Sequence, residues 1–210
     1  KKIEDMELRK VIEARTSIRQ FKPEPVAKSD LMEMVRLASL APSVNNYQPW
    51  NFVVITNKDL LKRMAAAVRE KIHALPENNS RMSRVVKKQV EFFATFFENA
   101  PALIAIATQE YETILEKGVT LTHAEINEMR NSPDIQSVGG CAENLLLAAV
   151  DMGYGACWMS APLIAKGELE RLLELDPKLC LMSFIAVGKP LREQQPREKR
   201  PVEELIRFIE

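Results

Sequence analysis

One run constrains the fold more than any other: Leu145-Leu146-Leu147-Ala148-Ala149-Val150, inside a helical stretch that opens at Pro133 and reaches Met152. Proline is at home in a first helical turn, and Gly153, with Gly155 close behind, supplies the stop. A helix that is apolar around most of its circumference has no side it can turn to water. It must lie at the centre of a subunit or of a dimer, and the remaining elements must cover it.

Those elements alternate. Met6 to Ala14 reads as a helix with Leu8, Val11 and Ile12 on one face. In Asp30 to Leu40, Leu31, Met34, Val35 and Ala38 follow helical spacing. Asp30 and Glu33 have the spacing of a capping box, and Pro42 closes the stretch. Phe52 to Ile55 is a short buried strand, and Leu60 to Lys71 is helical again. Pro76 to Ser80 reads as a loop. Arg84 to Phe97 is a helix whose Phe92, Phe93, Phe96 and Phe97 suit a core or a dimer surface. Ala102 to Ala107, Ala156 to Met159 and Leu181 to Val187 are further strands, and Thr120 to Asn131 is a polar helix or lid. Residues 190–201, rich in Pro, Arg and Gln, are expected along the surface or along a partner. Strands alternating with an excess of helices imply an α/β or α+β sheet flanked by helices. A chain of 210 residues suits one domain spanning 1–210.

Lys and Arg total 29 and so do Asp and Glu, so global charge favours neither nucleic acid nor an anionic membrane. Any anion must be held by a local cluster. No apolar run approaches the ~20 residues that span a bilayer. The polar start carries no signal-peptide pattern, and a cytoplasmic location is expected. Cys141, Cys157 and Cys180 sit in apolar contexts without C-x-x-C spacing and read as buried thiols. His73 and His123 lie far apart, which leaves no paired spacing for a metal site.

Four segments could carry chemistry. In extended chain, Arg15, Ser17 and Arg19 share a face. Two guanidinium forks and a hydroxyl match phosphate oxygens, although the pattern alone also describes a solvated strand edge. Pro42 to Trp50 is an amide-rich loop pinned by prolines and able to hydrogen-bond a planar heterocycle, with Pro49 and Trp50 as core anchors. Gly153 to Ser160 could bring main chain close to a flat ligand. Its Cys157 has no histidine partner and reads as an inert core residue. Arg192, Arg197, Lys199 and Arg200 form either a solvated tail or a second source of charge for the same phosphate. No G-x-G-x-x-G, Walker loop, G-x-S-x-G or H-E-x-x-H is present. That disfavours a Rossmann dinucleotide fold, a P-loop NTPase, an α/β-hydrolase and a zincin.

Taken in order, the segments resemble the nitroreductase family of flavoproteins. The resemblance runs through Arg15-Thr-Ser-Ile-Arg19-Gln-Phe-Lys-Pro, Ala41-Pro-Ser-x-x-Asn46-x-Gln-Pro-Trp50 and Asn144-Leu-Leu-Leu-Ala-Ala to Gly155-Ala-Cys-Trp158 and Ala186-Val-Gly188-Lys-Pro190. It implies an α+β fold of three layers, a central, mostly antiparallel sheet flanked by helices, and an intertwined homodimer with two FMN molecules at its interface. By resemblance, Arg15, Ser17 and Arg19, with Thr16 among them, hold the phosphate and ribityl chain, and Arg197 and Lys199 add a late basic pair. Pro42, Ser43, Val44 and Asn46 would approach the isoalloxazine from the other subunit. Trp158, Met159 and Ser160 would line the flavin, the Ser160 N–H near N5. Arg69 and Lys71 match no family pattern and stay unassigned.

The resemblance further implies ping-pong chemistry. NADH or NADPH gives hydride to flavin N5, and a small-molecule acceptor, a nitroaromatic or a quinone, then takes it. No side-chain nucleophile or metal is called for. Alternatives are dehalogenation, dehydrogenation or flavin fragmentation on the same fold, or a cofactor-free helical interaction protein docking through residues 92–97.

Overall fold

The computed structural model describes residues 7–76, 80–111 and 113–210. Met6 and Glu77 to Asn79, on which parts of two expectations fell, lie outside the described residues. The elements run α1 (Leu8–Ala14), α2 (Lys28–Ala38), β1 (Trp50–Ile55), α3 (Lys58–His73), α4 (Arg81–Thr95), β2 (Ala102–Gln109), α5 (His123–Met129), α6 (Pro133–Asp151), β3 (Gly155–Met159), α7 (Lys166–Leu172) and β4 (Leu179–Gly188). The four strands pair in the order β1-β2-β4-β3, every pairing antiparallel, with a register shift between Ile106 and Ala107. This is an α+β fold.

Strand alternation explains the layers. On β2 and β4, Ile104, Ile106, Ile185 and Val187 point to one face, where they meet Leu31, Met34 and Ala38 of α2 and Leu145, Ala148 and Ala149 of α6. The intervening Leu103, Ala105, Phe184 and Ala186 point to the other, against Leu61, Met64, Val68 and Ile72 of α3. Both faces are covered, so β2 is an uninterrupted apolar run without the alternation of a half-exposed strand. The central helix α6 buries Cys141, Ala142, Leu145, Leu146, Ala148 and Ala149, as its circumference required. It stops at Gly153, whose φ of 72° is the left-handed geometry of a helix end.

Several local expectations change. The capping box at Asp30 and Glu33 does not form: α2 begins at Lys28 after Ala27, which offers no capping side chain. Asp30 instead accepts a 2.5 Å hydrogen bond from the Tyr154 hydroxyl, and Glu33 pairs with Arg36. The tertiary partner displaced the local one. Helix α4 ends at Thr95, and Phe96 and Phe97 belong to a following 3-10 turn that buries both, while Phe92 and Phe93 stay exposed. Helix α7 had no sequence-level signal strong enough to announce it. Cys141 and Cys157 are buried, but Cys180 is only partly so.

Candidate functional site

The segment after α1 is held by main chain. Ile18 N–H donates to the Ala156 carbonyl at 3.0 Å, and Ser17 and Ala156 form a parallel bridge along the outer edge of β3. The contact is close because residue 155 is glycine: a Cβ there would stand 2.6 Å from Ile18 Cγ1. The glycine thus admits Ile18, not a flat ligand. With Ile18 turned into the protein, Arg15, Ser17 and Arg19 share the opposite face, as alternation predicts.

That face meets the tail. Arg15, Thr16, Ser17 and Arg19 line a polar cavity of about 150 Å³ together with Arg197, Lys199 and the intervening run from Gln194 to Pro196. Two segments some 180 positions apart therefore converge on one small space, bringing four cationic side chains to it. Arg15 Nε lies 3.5 Å from Glu143 Oε1. Among the described residues, Arg19, Arg197 and Lys199 have no carboxylate partner. Arg19 is steadied otherwise: it donates to the Ser17 carbonyl at 3.4 Å and lies 5.3 Å over the Phe93 ring. Its guanidinium also borders a second cavity of about 660 Å³, lined by Arg69, Glu91, Phe92, Phe96 and Glu98 among others. Arg69 is clamped there by Glu98 and Glu91. Neither Gln194 nor Gln195 stood out in the sequence, because an amide in a polar tail carries no periodic signal.

Cys157 lies beside Ser17 and near Arg15 and Arg19. Burial pushes its thiol up, and the nearby Arg19, the Ser17 hydrogen bond and Arg15 pull only weakly the other way. A thiol pushed that way suits an inert residue rather than a nucleophile.

The other expected residues stand apart from the cavity. Val44 to Asn46 form a 3-10 turn, and Asn45, Asn46 and Gln48 take positive φ between 51° and 54°. Asparagine tolerates that geometry better than most residues. The loop secures itself: Gln48 N–H donates to Ser43 Oγ at 2.9 Å, and Val44 N–H to Ser137 Oγ at 3.3 Å. Pro49 and Trp50 are buried anchors as expected. Pro42, Ser43, Val44 and Asn46 do not line the cavity of their own chain. On β3, Trp158 is 42% exposed and lies against α6 at Gly139; Met159 turns into the core, and Ser160 is exposed at the strand end. Among the described residues no cluster of His, Cys, Asp and Glu could hold a metal ion, and no helix is long and apolar enough to cross a membrane.

Comparison with known proteins adds the lineage. A solved structure described as a BluB-like flavoprotein from Clostridium difficile 630 superposes with a TM-score of 0.87 at 30% identity, covering 98% of this chain and all of that one. An FMN and NADPH-dependent nitroreductase, NfnB from Sphigopyxis sp. strain HMH, shares the fold with a TM-score of 0.73 at 17% identity, covering 98% and 100%. The iodotyrosine deiodinase of Hydra vulgaris is 32% identical over 203 residues, 92% of this chain and 69% of its own length. The profile described as Nitroreductase family matches residues 12–189. With that match across most of its length, the chain belongs to the nitroreductase family.

Proposed function

We propose that this chain binds FMN and passes hydride from NADH or NADPH to an electron-poor small molecule, as a homodimer of 1–210 chains with shared sites. The observation that carries the reading is the small polar cavity. Two arginine forks, a further arginine, a lysine and a hydroxyl around about 150 Å³ suit a phosphate dianion in charge and in size. Four like charges gathered around one small space call for an anionic ligand group to offset their repulsion.

In this reading Arg15, Ser17 and Arg19 fix the phosphate from one side and Arg197 and Lys199 from the tail, with Thr16 beside them. The flavin, when bound, supplies the hydride chemistry. The protein's own contribution is to orient it and to place N–H donors, Ser160's among them, where negative charge develops. Pro42, Ser43, Val44 and Asn46 act in trans. Pro42 and Asn46 are exposed, Ser43 and Val44 partly so, and none of them lines the cavity of its own chain, which supports that role. So do the uncovered apolar side chains of Leu8 and Ile12 on α1 and of Leu205, Ile206, Phe208 and Ile209 in the tail.

A second reading keeps the flavin and changes the acceptor. The deiodinase relative supports it, since its name records removal of iodine from iodotyrosine. Purified protein is expected to be yellow, absorbing near ~450 nm. Anaerobic turnover with NADH or NADPH should then be followed against nitroaromatics, quinones and halogenated phenols. Colourless protein that takes up no added FMN defeats the flavin reading. Rapid flavin reduction with turnover of halophenols alone favours the second reading.

A further inference from the structure

The chain carries a second cluster of reactive side chains, away from the cavities lined by Arg19. Lys166, the first residue of α7, places Nζ 2.8 Å from Cys180 Sγ near the start of β4. Lys166 donates a hydrogen bond to this sulfur, which holds the two reactive atoms side by side. Glu170, one turn along, has Oε1 3.8 Å from the same Nζ and accepts the Leu181 N–H at 2.9 Å. The carboxylate is thereby fixed and limits where the lysine can go. Both partners are reachable: Cys180 is partly exposed, and the Lys166 side chain is 40% exposed. By contrast, Cys141 and Cys157 are buried.

We propose that Lys166 and Cys180 form an oxidation-dependent cross-link between Nζ and Sγ, with hydrogen peroxide as the oxidant. The thiolate, formed by loss of its proton to water, attacks peroxide. An S–O bond forms, the O–O bond breaks, and hydroxide leaves and is protonated. Sulfur is oxidised by one electron pair and peroxide is reduced to water, leaving a sulfenic acid. The ammonium of Lys166 is held up chiefly by its hydrogen bond to this sulfur. Converting the sulfur to a neutral sulfenic acid weakens that hold, and the lysine can release a proton to water. The free amine then attacks the adjacent sulfur: an N–S bond forms, the S–O bond breaks, and water leaves with one amine proton. The product is a sulfenamide, net loss of one H₂ from the pair, and thiols reverse it. It ties α7, which follows the Ser160 strand end through one 3-10 turn, to β4.

The test treats the full chain with hydrogen peroxide and maps peptides by mass spectrometry, with dimedone to trap sulfenic acid. The expected result is a linked pair of peptides containing Lys166 and Cys180, lighter by one H₂ than their sum and released by dithiothreitol. Lys166→Arg keeps the charge but offers a poor nucleophile. It should lose the linked pair and accumulate the dimedone adduct at Cys180. A Cys180 that remains a free thiol under peroxide overturns the proposal. So does its oxidation to the same acid, to the same extent, in both proteins with no linked pair. Neither outcome depends on whether flavin is bound.

Discussion

Arg15–Arg19 and Pro42–Trp50 are both short irregular segments that follow a helix and flank the sheet, yet they are finished differently. The first is tied to its own β3 through Ile18 and Ala156 and meets its own tail across a small polar cavity. The second is tied to itself, to Ser137 and, through Tyr47 and Pro49, to Glu110 and Gln109, and presents Asn45 and Asn46 to solvent. A segment whose charges already converge within one chain can bind its ligand in cis. A segment held at positive φ with its amides outward leaves those amides available for the trans role proposed above. The difference supports the proposed site, in which one chain begins what a second completes.

The largest expected effect breaks the cis half. Gly155→Val drives side-chain atoms into Ile18 and should unseat the Arg15–Arg19 segment, at a cost of about 1–3 kcal/mol or more. Thermal unfolding and flavin retention read it, and a variant that keeps both would show that the segment is positioned by something else. Pairing it with Ile18→Ala should restore part of the loss. Next, Arg19→Ala removes a charge-assisted contact of roughly 1.5–3 kcal/mol, equivalent to a loss of about 10- to 100-fold in FMN affinity. Riboflavin, which has no phosphate, should weaken far less in the same titration. Equal losses for both ligands would separate Arg19 from the phosphate.

A third test addresses the trans half. Arg19→Ala and Asn46→Ala chains, each impaired alone, should recover turnover when unfolded and refolded together, because some mixed dimers regain one intact site. Failure to recover, with mixed dimers demonstrated by mass spectrometry, would return the loop to its own chain and end the contrast. The smallest effect is on pH. Burial raises the Cys141 thiol from 9.0 to about 12, so its neutral form is favoured by folding. Below pH 9 the thiol is protonated folded or unfolded and the stabilisation is fully present. As pH climbs from there towards 12, the unfolded thiol ionises first and the stability is lost. Chemical denaturation over that range should show a shallower alkaline decline in Cys141→Ala than in the parent chain.

Helical and strand periods were legible where burial follows local pattern. Helix α2 shows both sides of this: Leu31, Met34 and Ala38 are buried at the predicted spacing, whereas its first turn began earlier because Asp30 was taken by Tyr154, 124 positions away. Strands β1 and β4 run longer than their apolar runs, since pairing with β2 extends regular structure into residues such as Trp50 and Leu179. Helix α7 is short, and tertiary packing of Leu169 sustains it more than any cap or period.

The sequence by itself determined the apolar centre, the sheet between helices and, through motif order, the family. The first two follow from composition and spacing, which are local quantities, and the third from a resemblance in the order of motifs. Only the tertiary structure decided that Arg197 and Lys199 turn back onto Arg15 and Arg19, that Gly155 makes room for Ile18, and that Cys180 meets Lys166. Each of these is a meeting of residues distant in the chain or on different elements. Such meetings are fixed by how the layers pack, and no periodicity along the chain encodes them.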